Sequence, residues 1–93
     1  WNVSNVLDMY SIFENSKFDG DISNWNVNRV TNMSYMFNES KFNRDISKWN
    51  VSSVENMAFI FNNSNFNGDI SRWNISNVKD IDYMFGEPIN IKD

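Results

Sequence analysis

The chain has 93 residues and a formal net charge of −4, which suffices for one small domain or for part of a longer array. Acids and bases are interspersed, so there is no basic footprint for nucleic acid. No apolar run is long enough to span a membrane, and no basic amphipathic stretch would lie on one. With neither Cys nor His, the chain lacks disulfides, thiol nucleophiles, histidine bases and zinc sites of the usual kind.

In chain order, the first 24 residues set a pattern that the rest repeats. Ser4 is placed to cap a short helix from about Val6 to Asn15, whose apolar residues Val6, Met9, Ile12 and Phe13 fall three or four apart on one face. A loop follows, then Asp21-Ile22-Ser23, the length of a three-residue strand in a parallel ladder. A turn at Trp25-Asn26 opens the next unit. Trp1, Trp25, Trp49 and Trp73 mark the period, and Asn follows each of them. The same register carries Val30, Met33, Met36 and Phe37 in the second copy, Val54, Met57, Ile60 and Phe61 in the third, and the caps Asn28, Ser52 and Ser76. After Phe85 the pattern lapses. Pro88 ends the helical spacing, and Ile89-Asn90-Ile91 reads as a closing strand of a degenerate last unit.

A fixed period of this length without insertions is the signature of stacked units that bury their apolar faces against neighbours. The expected fold is therefore α/β, a leucine-rich-repeat-like solenoid of about four 24-residue repeats. Short parallel strands would lie on one face and short helices on the other. The domain is 1–93, with units 1–24, 25–48, 49–72 and 73–93, and the chain is read as a fragment of a longer array.

The segment Val30-Thr31-Asn32-Met33-Ser34-Tyr35-Met36-Phe37, preceded by Trp25-Asn26-Val27 and followed by Phe42, Asp45-Ile46-Ser47, resembles the BspA-type leucine-rich repeat of bacterial surface proteins. That resemblance implies an extracellular or cell-surface location and a role in adhesion, with a protein or glycan ligand on a host or neighbouring cell. It brings no catalytic residues.

Residue by residue, the Trp column is read as core filling between layers, in preference to a ladder of indoles that stack on sugars. Asp21, Asp45 and Asp69 are the most pointed polar feature. Either they hold a cation or basic ligand, or each accepts a local N–H near Ser23, Ser47 or Ser71 in an Asx-turn, which is the preferred reading. Asn2, Asn26, Asn50 and Asn74 are expected to form an amide ladder. Specificity is sought where copies differ. Arg44, Lys48 and Arg72 join the three Asp as the candidate binding face, and the columns beginning at Glu14 and Asn15 are taken as solvated. Ser without a base is not activated, and repetition argues against a unique constellation, so no enzyme activity, cofactor or metal is expected. The functions weighed are an adhesion or interaction module, a spacer that projects another domain, and a carbohydrate-binding module.

Overall fold

The structure is a computed structural model that describes residues 2–86; Trp1 and the segment holding Pro88 and Ile89-Asn90-Ile91 lie outside the described residues. Its regular feature is the β-turn. In the coil from Ile22 to Ser40, N–H groups reach back three residues at Trp25, Val30, Met36, Asn38 and Ser40, at 3.1–3.2 Å. The N–H groups of Met33, Tyr35, Phe37 and Glu39 instead leave the coil. They donate to the carbonyls of Asn56, Ala58, Ile60 and Asn62 at 2.8–3.0 Å. Alternate residues thus close turns or tie coils together, and the previous coil repeats the scheme from Met9 to Asn15.

This pattern overturns the leucine-rich-repeat-like α/β solenoid. Among the described residues there is no helix, and extended pairing is limited to isolated parallel bridges: a local one from Met84 to Gly86, and those between coils, Asp8 to Asn32, Asn32 to Asn56 and Asn56 to Asp80. These bridges fall at the start of the segment expected to be helical. The expected strands at Asp21–Ser23, Asp45–Ser47 and Asp69–Ser71 lead into turns instead. A Cα radius of gyration of 12.8 Å is that of a compact domain of this length.

The physical reason lies in two competitors to the helix. The Oδ1 of Asp8, Asn32, Asn56 and Asp80 captures the N–H two residues on, at 2.9–3.0 Å, which closes an Asx-turn where a helical turn would begin. Ser11, Tyr35, Phe59 and Tyr83, and then Asn15, Glu39 and Asn63, have φ between 53° and 61°, and a right-handed helix cannot continue through them. A segment of about ten residues has little helical stability of its own to resist these alternatives. Apolar residues three apart now sit at the first and last positions of β-turns, which brings them to one side as a helix would.

The expected caps take a different part. Ser4, Asn28, Ser52 and Ser76 donate their backbone N–H to the Oδ1 of Asn2, Asn26, Asn50 and Asn74 at 3.0 Å. The invariant Asn column is therefore a row of exposed Asx-turns rather than an amide ladder. Three Asx-turns and one Ser-based turn in each full coil give part of the Asn and Ser of the composition a structural task.

The core lies inside the coils and is completed between them. Val30, Met33, Met36, Phe37 and Phe42 are fully buried, as are Val54, Met57 and Ile60. Aromatic columns run through the stack: Phe13, Phe37, Phe61 and Phe85 at 5.5–5.7 Å between centroids, and Trp25, Trp49 and Trp73 at 6.4–6.5 Å. Each inner indole also donates across a coil boundary, Trp49 Nε1 to the Ile22 carbonyl and Trp73 Nε1 to the Ile46 carbonyl, both at 3.0 Å. Trp49 and Trp73 are 4% and 7% exposed, so they fill the core.

Candidate functional site

The polar face expected from sequence separates into residues with structural work and residues without it. Asp21, Asp45 and Asp69 are exposed, and each Oδ1 accepts the N–H of Ser23, Ser47 or Ser71 at 2.8–2.9 Å. That is the local Asx-turn reading. Those N–H groups, seconded by the Ser hydroxyls, hold all three carboxyls below the ordinary aspartate value of 3.8. Among the described residues no three metal-ligating side chains converge on a point where an ion could sit.

These depressed values set a direction for acid unfolding. A carboxyl with a lower pKa in the folded state adds stability above its unfolded pKa and loses it as pH falls through the folded value. Replacing all three by Asn keeps the Asx-turns, as Asn26, Asn50 and Asn74 demonstrate. The triple variant is expected to lose less thermal stability than the parent between about pH 4 and about pH 2. Thermal melts across that window check it; an equally steep acid limb in both proteins refutes it.

Arg44 is tied between coils. Its Nε donates to the Asp19 carbonyl at 2.8 Å and lies 3.5 Å from the Asp19 carboxylate. Lys48 and Arg72 are different: they line a shallow hollow of about 370 Å³ with Ser47, Trp49, Asn50 and Asn74. Of the six candidate residues, these two are the cations left to meet a partner.

One column taken as solvated proves structural. Asn38 is 6% exposed; its Nδ2 donates to Glu14 Oε2 at 2.7 Å, and its Oδ1 accepts Asn62 Nδ2 at 2.8 Å. Ser11 Oγ completes the chain at Glu14 Oε1, at 2.8 Å. This is where a side-chain amide ladder forms. Among the described residues every buried side-chain nitrogen or oxygen has a partner.

The feature that sequence reasoning missed is an aromatic row on the side of the stack. Tyr35 stacks on Phe59 at 4.7 Å, Phe59 on Tyr83 at 5.0 Å, and Tyr10 meets Tyr35 edge-on at 5.8 Å. Tyr35 and Phe59 are half-buried, while Tyr83 and Tyr10 are 42% and 53% exposed. Phe59, Tyr83, Asn62 and Asn63 line an open hollow of about 560 Å³. Tyr35, Phe59 and Tyr83 stand at the third position of turns that need φ > 0, where Gly or Asn is the low-energy choice. A bulky residue there costs about 1–2 kcal/mol. Its sequence signal was an aromatic in three of the four copies at one column, with Ser11 in the other.

The fold and these faces define a turn-built repeat protein with structured side surfaces and a shared core. The chain matches, over residues 1–93, the model of the family described as "Mycoplasma protein of unknown function, DUF285", and it belongs to that family. No curated protein and no solved structure matches it.

Proposed function

We propose that the chain is a non-catalytic interaction module, displayed outside the cell, that holds a protein partner along the column of Tyr35, Phe59 and Tyr83. The observation that carries this reading is the strain at those positions. A side chain kept where the backbone favours Gly or Asn is kept for what it presents. Partly exposed aromatics beside amide groups also match the composition of protein-binding hot spots. The BspA-type resemblance supports a surface location and an adhesive role. A glycan is the weaker ligand, because neighbouring rings 4.7 and 5.0 Å apart cover one another's faces and leave no gap for a pyranose. The spacer reading is weaker still: coils linked by parallel bridges rise only about 4.8 Å apiece, so a whole repeat projects little.

The test is the triple variant Tyr35→Asn, Phe59→Asn, Tyr83→Asn. Relief of about 1–2 kcal/mol of backbone strain per site is offset by lost ring stacking of roughly 0.5–1.5 kcal/mol per pair. The melting temperature is therefore expected to move little. Binding to a panel of extracellular-matrix proteins is expected to weaken by about tenfold or more. Unchanged binding would move the interface to Lys48 and Arg72, and a parent that binds no protein on the panel would favour the spacer.

A further inference from the structure

An asparagine side chain can react with its own backbone, and the residue that follows decides how readily. The attacking group is that residue's amide nitrogen, which must be unobstructed and free of a hydrogen bond. Glycine puts no side chain in the way, and serine is the next smallest follower in this chain. Asn67-Gly68 is the one Asn-Gly pair, and Asn15-Ser16 and Asn63-Ser64 are the two Asn-Ser pairs.

The fold separates these three. Ser16 and Ser64 donate their N–H to the carbonyls of Phe13 and Phe61 at 3.1 and 3.2 Å, closing the turns in which Asn15 and Asn63 have positive φ. Those nitrogens keep their protons engaged. The N–H of Gly68 makes no hydrogen bond among the described residues, and Asn67 and Gly68 are both exposed. Neither property comes from the place of the coil in the stack. Asp19 and Asn43, in the column of Asn67, are exposed as well, and the N–H groups of Gly20 and Arg44 are likewise free. The third coil is set apart from the second by glycine: the Phe66 ring lies 2.7 Å from where a Gly68 Cβ would stand, as Phe18 lies over Gly20.

We propose that Asn67 is a site of spontaneous modification, where the chain deamidates through a cyclic imide. The Gly68 nitrogen attacks Asn67 Cγ and a C–N bond forms. The Cγ–Nδ2 bond breaks, and ammonia leaves with the proton that Gly68 gave up. Water then opens the succinimide at one of its two carbonyls. Opening at Cγ gives aspartate with the main chain as before; opening at the main-chain carbonyl gives isoaspartate, whose main chain runs through Cβ. Water is the only co-reactant, and the chain gains one negative charge. The fold receives the two products differently. Aspartate already stands here in the first coil, where Asp19 accepts the Asn43 N–H at 2.8 Å and lies 3.5 Å from Arg44. Isoaspartate adds a main-chain carbon between the residue-67 N–H, which is tied to Asn43 Oδ1 at 3.1 Å, and Gly68 beneath the Phe66 ring. Both contacts cannot then be kept. This inference stands apart from the aromatic side face and survives or fails without it.

The folded chain is held for several days at mildly alkaline pH and physiological temperature, then digested and mapped by mass spectrometry with electron-transfer fragmentation, which tells aspartate from isoaspartate. A gain of one mass unit is expected at Asn67, mostly as isoaspartate, with Asn15, Asn43 and Asn63 slower by about tenfold or more. In urea, Asn15 and Asn63 are expected to close part of that gap, because their turns open. Gly68→Arg copies the Asn43-Arg44 pair of the second coil and is expected to slow Asn67 to the rate of Asn43; near-UV circular dichroism confirms that it is folded. Asn67→Asp is expected to melt with the parent and above the isolated isoaspartate form. An Asn67 that stays intact overturns the proposal. So does native conversion of Asn15 or Asn63 at the rate of Asn67, a ratio that urea leaves unchanged, undiminished conversion in Gly68→Arg, or an isoaspartate form that melts with Asn67→Asp.

Discussion

Met33→Asp is expected to leave the chain unfolded at room temperature. Met33 is wholly buried between coils, and among the described residues every buried side-chain nitrogen or oxygen already has a partner. An isolated carboxylate in that position costs several kcal/mol even if it protonates. A chain of this length has roughly 5–14 kcal/mol of stability in all. Met33→Leu, which conserves volume, should cost less than about 1.5 kcal/mol, and Leu7→Asp, at a position 59% exposed, should change little. Urea denaturation of the three proteins checks the ranking. Comparable midpoints for Met33→Asp and Leu7→Asp would mean that the interior of the stack is wrongly placed.

The second large effect is at Trp49. Its indole stacks between Trp25 and Trp73 and donates to the Ile22 carbonyl of the preceding coil. Trp49→Ala removes both contacts and leaves a cavity, with an expected loss of about 3–5 kcal/mol. Trp49→Phe keeps a ring in the column but not the donor. The Ile22 carbonyl still accepts the Trp25 N–H at 3.1 Å, so the additional cost is expected near 1 kcal/mol. Equal losses for the two variants would show that the hydrogen bond, not the packing, joins these coils.

The buried columns could be read from the sequence because burial at a fixed register leaves an apolar residue in every copy. Val30, Met33, Met36 and Phe37 were recognisable as interior on that ground. Their secondary structure was not. Residues three apart meet on one side of a helix and equally at the two ends of a β-turn, and the difference lies in where the intervening N–H groups go. Asn32 illustrates the ambiguity, since its side chain could cap a helix or close an Asx-turn, and it does the latter. Positive φ was hidden more deeply. The usual markers are Gly and Asn, and only Asn15 and Asn63 among the seven non-glycine positions carry one.

The candidate site divides in the same way. Asp21 and its repeats revealed their local partners because an Asp two residues before a Ser is turn chemistry by itself. Tyr35, Phe59 and Tyr83 did not stand out, because a helix would have placed them among its ordinary side chains. Asn38 was misplaced for a third reason. Its column holds Glu14, Asn38, Asn62 and Gly86, and that variety looked like solvation. It is instead a chain of unlike partners in which a carboxylate accepts from an amide and that amide accepts from the next.

The alternation of N–H groups between closing a turn and crossing to the next coil has a consequence for how such a protein changes over generations. Every coil offers the same donors on one side and the same acceptors on the other. A duplication of one whole repeat in the gene therefore adds a layer that already fits above and below. A single inserted codon inside the tied segment shifts which residues face across, and donors then meet donors' neighbours through the rest of the layer. Growth by whole units is mechanically easy and growth by single residues is not, which is reason enough for the period to have stayed free of insertions.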